Sequence, residues 1–145
     1  MAGAENDRDT ITIESSPGKI SEVDDFLENW LRRRGVPEST VADMAIAVTE
    51  LVNNAIRHGN REKSDKIVTV DLRLEGIEIE ASISDEGQGF DPDNLPDPLA
   101  EENLLKEIGR GIFIVKSLMD QFEYSFVPDR GATIRIVKRL DKTED

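Results

Sequence analysis

The sequence predicts an α+β fold: a two-layer α/β sandwich in which a mostly antiparallel mixed sheet is covered by about three helices. Three observations predict it. Apolar and polar residues alternate in five short runs, and four of these pair off around tight turns, Glu75-Gly76 and Pro128-Asp129-Arg130-Gly131. Three other runs place apolar residues at helical spacing. The resulting order, β-α-α-β-β-loop-α-β-β, bunches helices against antiparallel strands, which argues against a doubly wound parallel sheet.

Residues 10–14 alternate around Ile11 and Ile13, a short strand. Ser21 is placed to cap a helix with apolar positions Val23, Phe26, Leu27, Trp30 and Leu31, which Gly35 stops. Arg32, Arg33 and Arg34 fall near its C-terminal end, where the dipole favours cations, so the run reads as a cap and solvated face rather than a binding patch. Pro37 starts a second helix with one apolar stripe: Val41, Met44, Ala45, Val48, Leu51, Val52, Ala55 and Ile56. It ends at His58-Gly59. Residues 66–74 and 77–85 form the first hairpin. Residues 86–108 carry three prolines, two glycines and many carboxylates, and a loop of that length is usually functional. Gly109-Arg110-Gly111 opens a third helix with Ile112, Val115, Leu118 and Met119 inward, and residues 122–127 and 133–138 form the second hairpin. One domain over residues 10–140 is expected, with frayed ends at 1–9 and 141–145.

The length of 145 residues suits one domain with a sizeable core, and the 37% hydrophobic residues suffice because they fall in periodic runs. The 31 acidic and 18 basic residues give a formal net charge of -13, which disfavours phosphate backbones and anionic membranes as direct partners. The lack of cysteine excludes disulfides and thiol chemistry, and a single histidine, His58, leaves little for a histidine metal site. The N-terminus is polar without an apolar signal region, and no apolar stretch is long enough to span a bilayer, so the cytoplasm is expected.

Three segments carry candidate chemistry. Glu50 and Asn54 are four apart and stack on one helix face, opposite the apolar stripe. A carboxylate and an amide carbonyl there can hold hydrated Mg²⁺; an ordinary solvated face has the same pattern. In Ile83-Ser84-Asp85-Glu86-Gly87-Gln88-Gly89-Phe90, Asp85 shares parity with Ile77, Ile79, Ala81 and Ile83, so its carboxylate points coreward and needs a donor. The exocyclic amine of a purine would serve, with Gly87 and Gly89 letting the chain turn round a flat ligand; a turn capped by Asp after the strand is the alternative. Gly109-Arg110-Gly111 before a helix offers backbone N–H groups to phosphate, or is a plain helix-start turn.

In that order the segments resemble the N, G1 and G2 boxes of the GHKL ATPase superfamily, over about residues 10–140. Within it, Glu50-Leu51-Val52-Asn53-Asn54-Ala55-Ile56-Arg57-His58-Gly59, Asp85-Glu86-Gly87-Gln88-Gly89-Phe90-Asp91-Pro92 and Gly109-Arg110-Gly111-Ile112-Phe113-Ile114-Val115 look most like bacterial anti-sigma factor serine kinases. The resemblance implies the ATP-binding fold of that superfamily, with ATP and Mg²⁺ as cofactors. It implies that Asn54 coordinates the metal, Glu50 acts as general base, and Asp85 accepts from the adenine amine. Gly87 and Gly89 would line the base pocket, residues 90–108 would form a lid, and Gly109, Arg110 and Gly111 would cradle phosphates. His58 reads as a structural residue at the helix end. Two departures stand out: Ala132 takes the position of a family threonine, with Thr133 beside it as the candidate contact, and Lys106-Glu107-Ile108 replaces an arginine, so Arg110 or Lys106 would face the γ-phosphate.

The implied activity is an ATP-dependent protein-serine kinase. It would sequester a sigma factor, phosphorylate a serine of an anti-anti-sigma protein of the STAS type, and work as a homodimer. The alternatives are a non-catalytic, ATP-gated regulator that binds a partner, and an acidic interaction domain whose boxes are coincidental.

Overall fold

Alternation along each strand sorts its side chains onto two faces, and the computed structural model shows where those faces go. It describes residues 7–87 and 102–140, and of residues 102–107 the backbone alone. The expected frayed ends therefore fall outside the described residues, apart from residues 7–9. The strands are β1 (Arg8–Glu14), β2 (Ile67–Glu75), β3 (Glu78–Ser84), β4 (Gln121–Val127) and β5 (Gly131–Arg139); the helices are α1 (Ile20–Arg33), α2 (Glu38–Asn54) and α3 (Glu102–Leu118). The sheet order is β1-β2-β3-β5-β4. Every pairing among the described strands is antiparallel, so the sheet is not mixed as expected.

The inner face carries Ile13, Val68, Val70, Leu72, Ile79, Ala81, Ile83, Ile134 and Ile136, all buried. They form one core with Leu27, Trp30 and Leu31 of α1 and Met44, Val48, Leu51 and Val52 of α2. α2 packs against both α1 and α3, so it is the middle of the helical layer. The outer face is mostly polar, as suits an antiparallel sheet covered on one side, with Ile67, Val127 and Val137 its apolar members. Thr12, Thr69, Ser84, Thr133 and Ser125 stand in register across all five strands of that face.

The turns explain the element ends. Gly35, at φ 75°, terminates α1: its N–H reaches the Arg32 carbonyl and the Val36 N–H reaches the Leu31 carbonyl, a Schellman closure. Ser21 does not cap α1. A 3₁₀ turn, Pro17–Lys19, leads straight into the helix, and the Ser21 hydroxyl bonds back to the Gly18 carbonyl. The arginine run is structural: Arg32 pairs with Glu28 and Glu38, and Arg34 lies over the Trp30 ring at 4.0 Å. The β2–β3 turn is Gly76-Ile77, one residue later than expected, with Gly76 at φ 61° in the first turn position. Beyond Asn54, α2 widens into a single π-turn, Ala55–Gly59.

α3 begins at Glu102, seven residues before Gly109. Residues 102–108 are therefore helix rather than loop; the remainder of the expected lid, residues 90–101, lies outside the described residues.

Leu51, 1% exposed, joins the helical layer to the sheet. Leu51→Ala is expected to lower the unfolding free energy by about 2–5 kcal/mol. Thr12→Ala on the open face is expected to change it by no more than about 0.5 kcal/mol. Urea titrations followed by far-UV circular dichroism test the contrast.

Candidate functional site

β3 delivers Asp85. Ile79, Ala81 and Ile83 point into the core, and Asp85 continues that parity just beyond the last residue of the strand. Its carboxylate is half-buried. Oδ1 accepts the Gly87 N–H at 2.8 Å and the Ala132 N–H at 3.5 Å, while the Asp85 N–H donates to the Ala132 carbonyl at 2.9 Å. Among the described residues nothing donates to Oδ2, which lies against Gly59. Burial raises the Asp85 pKa above the usual carboxylate value; the backbone donors of Gly87 and Ala132 oppose the rise, and the Glu86 charge adds to it.

Three backbone segments close round this residue, and each closes through a glycine. A Cβ on Gly59 would collide with the Asp85 carboxylate, one on Gly87 with the Gly59 carbonyl, and one on Gly131 with the Asp85 carbonyl. Gly131 also holds φ at 129°, open to glycine and rare for other residues. The close neighbour of Gly87 is thus the Gly59 backbone. Gly89 lies outside the described residues. Between the turn and Glu86-Gly87 lies a hollow of about 220 Å³ lined by His58, Gly59, Asn60 and Lys66 among others.

α2 supplies Glu50 and Asn54, but not on a solvated face. Asn54 is 8% exposed and Glu50 is half-buried. Position 54 follows Leu51 by three and Ala47 by seven, which puts it on the flank of the apolar stripe rather than opposite it. The Asn54 Nδ2 is buried with no hydrogen-bond partner among the described residues. Over Glu50 lies α3, whose Gly111 comes so close that a Cβ there would sit 3.2 Å from Glu50 Cγ and Cδ. The π-turn then carries the chain from Asn54 to Gly59, against Asp85.

Two expectations change. Gly109, Arg110 and Gly111 do not open a helix; they lie inside α3, so their N–H groups are not the unbonded donors of a first turn. Gly109 and Arg110 are exposed instead, and with Phe113 and Ile114 they line an open cavity of about 630 Å³. Thr133 is turned away from Asp85: it faces the outer side of the sheet, where its hydroxyl meets that of Ser84 at 2.8 Å. Ala132 holds the inward position. Sequence reasoning missed two residues, Gly131 and Asn60. Glycine at the start of a strand was the signal for the first. Asn60 is 1% exposed, and its Oδ1 accepts the Glu86 N–H at 2.8 Å.

A two-layer sandwich with a strand-end carboxylate enclosed by glycines has the form of a ligand-binding domain. The family model described as Histidine kinase-like ATPase domain matches residues 13–138, and the chain belongs to that GHKL-type family. It is similar to Serine-protein kinase RsbW of Staphylococcus aureus strain bovine RF122 / ET3-1, 30% identical over 139 residues, covering 91% of this chain and 86% of that protein. The same protein from strain JH9 is 29% identical with the same coverage. Among solved structures, the fold matches that of the RsbU and RsbW domains of Rv1364c from Mycobacterium tuberculosis with a TM-score of 0.69 and 24% identity, covering 92% of this chain and 32% of that one. The mycobacterial sensor histidine kinase MprB shares it at a TM-score of 0.52 and 18% identity, covering 91% and 97%. Among the described residues no helix is long and apolar enough to cross a membrane.

Because burial makes Asp85 harder to ionise in the folded chain than in the unfolded one, its charge subtracts from stability near neutral pH. That loss fades as pH falls through the raised pKa towards the ordinary 3.8. Asp85→Asn, which keeps an oxygen for Gly87 and Ala132, is therefore expected to resist urea better than the parent at pH 7. The advantage should shrink towards pH 4, and paired urea titrations across that range check the sign. Gly59→Ala is expected to cost about 1–3 kcal/mol in the same assay at any pH, from overpacking.

Proposed function

We propose that this chain is an ATP-dependent protein-serine kinase and an anti-sigma factor. It binds a sigma factor and phosphorylates a serine on a small anti-anti-sigma protein of the STAS type. The observation that carries the reading is Asp85: an acceptor held from one side by backbone N–H groups, with Oδ2 receiving no hydrogen bond among the described residues. That oxygen suits a donor such as the adenine amine. The similarity to the RsbW serine-protein kinases supports the choice of reaction and of partners.

The donor set also suits Mg²⁺-ATP. Asn54 brings an amide oxygen suited to a hard cation, and its orphaned buried Nδ2 suits a phosphate oxygen. Bound Mg²⁺-ATP supplies the γ-phosphoryl group and the metal's charge. Glu50, packed under Gly111, takes the proton from the attacking serine hydroxyl. Asp85 and Gly87 select and seat the base, and Arg110, exposed on α3, faces the phosphates. Gly109 and Gly111 let phosphate and Glu50 respectively approach α3 closely. Thr133, on the outer face, takes no part. The protein works in the cytoplasm as a homodimer.

A second reading, an ATP-gated binder without phosphoryl transfer, is favoured by one observation: α3 runs through Gly109–Gly111 without a break, so no unbonded N–H pair is offered there.

Glu50→Gln separates the two. For the kinase, the substitution is expected to leave Mg²⁺-ATP binding near normal and to slow transfer to the anti-anti-sigma protein by about 10²–10⁴. Asn54→Ala is expected to weaken Mg²⁺-ATP itself. The measurements are calorimetric titration and radiolabel transfer; transfer by Glu50→Gln at the parent's rate removes Glu50 as the base. Light scattering at micromolar concentration checks the dimer, for which about 32 kDa is twice the chain's 16.2 kDa.

A further inference from the structure

One side chain holds the Asp85 loop against the rest of the fold, and the proposed chemistry gives it nothing to do. Asn60 accepts the Glu86 N–H at Oδ1 (2.8 Å) and donates from Nδ2 to the Ser15 hydroxyl (2.7 Å) and to the Ile67 carbonyl (2.8 Å). Its own N–H closes the π-turn onto the Ala55 carbonyl at 2.8 Å. An acceptor and two donors on one short stem are all used, which only asparagine offers at that length. The grip is doubled by Glu86, whose carboxylate accepts the Ile67 N–H at 2.8 Å.

The bond at Oδ1 falls on the peptide that joins Asp85 to Glu86. That peptide is boxed in: Asn60 holds its N–H, and Gly131 packs on its carbonyl. This peptide sets where the Gly87 N–H stands, and Oδ1 must reach that N–H and the one on Ala132 while Oδ2 stays beside Gly59. Hydrogen bonds weaken steeply as they lose alignment, so a loosened peptide blunts what Oδ2 selects.

We propose that Asn60 is a positioning residue for base recognition: by fixing the Asp85–Glu86 peptide it aims Oδ2, and so sets the preference for a purine bearing an exocyclic amine over one bearing a carbonyl at the same place. This rests on the reading of Asp85 as the acceptor of that amine.

The test titrates the purified full chain with Mg²⁺-ATP and Mg²⁺-ITP, in the parent, in Asn60→Ala and in Ser15→Ala. The parent is expected to prefer ATP. Asn60→Ala is expected to lose about tenfold or more of that preference, the scale of one hydrogen bond to a charged group. Ser15→Ala removes one Nδ2 partner but spares the bond to Glu86, so it is expected to lower the melting temperature and leave the ratio alone. A residue that only stabilised the fold would leave the ratio unchanged in all three. A parent without preference overturns the assignment of Asp85 itself; a parental ratio carried intact into folded Asn60→Ala overturns only the role of Asn60. If Asn60→Ala does not fold, amide exchange in the parent decides. Strong protection of the Glu86 N–H is expected without nucleotide, and exchange at the rate of an exposed amide overturns the proposal.

Discussion

A carboxylate is half-buried at the end of β3, and the surrounding structure is arranged round the need to satisfy it. Its Oδ1 is met by backbone N–H groups from Gly87 and Ala132, not by a cation. Backbone donors reach a side chain only when their own chain comes close, and close approach of three segments requires that they carry no Cβ. Gly59, Gly87 and Gly131 follow from that single demand. So do the start of β5 and the widened turn after α2, because each must deliver its glycine to the same few ångströms. A salt bridge would have satisfied Asp85 more simply, but it would also have depressed its pKa, which burial instead holds above the usual carboxylate value.

The helical layer answers a second demand. α2 is both the central core helix and the carrier of Glu50 and Asn54, so these two side chains are drawn in from bulk water, Asn54 fully and Glu50 in part. They sit at the flank of the stripe that Met44, Val48 and Leu51 bury in the core. Gly111 lets α3 lie on Glu50 without displacing it. At the far end of the layer, Lys138 of β5 donates to the Leu118 carbonyl at 2.9 Å and pairs with Asp43 of α2 at 3.6 Å. The last carbonyls of α3 thus gain a cation, and β5 gains a tie to α2 and α3.

Much of this was legible in the sequence because it depends on local periodicity. Parity alone put Asp85 on the core side, since Ile79, Ala81 and Ile83 fix the face and one more step of two reaches residue 85. The same rule reads Thr133 outward once Ile134 and Ile136 are taken as core, and the family's threonine position falls on Ala132 instead. Gly109 and Gly111 misled because glycine is read as punctuation; in α3 packing outweighs its poor helix propensity. Asn54 misled for a geometric reason: a four-residue step from Glu50 turns the helix through slightly more than one turn, enough to carry Asn54 from the rim towards the stripe. Asn60 left no local trace. Its three partners, Ser15, Ile67 and Glu86, come from different parts of the chain, and a buried asparagine in a polar loop looks like any turn residue until those parts are brought together.

The strand order has a consequence for biosynthesis. β5 lies inside the sheet, between β3 and β4, although it is made after every other strand. A ribosome releases Asp85 well before Gly131 and Ala132, and until β5 is inserted the carboxylate lacks the N–H of Ala132 and the wall that Gly131 builds. Among the described strands β4 pairs with β5 alone, so the two reach β3 as a hairpin, and docking that hairpin on β3 is a non-local step, slower than closing the hairpin itself. A nascent chain therefore carries the N-terminal helices and the first hairpin while Asp85 is still open on one side, and its enclosure is finished only when the last hairpin docks on β3.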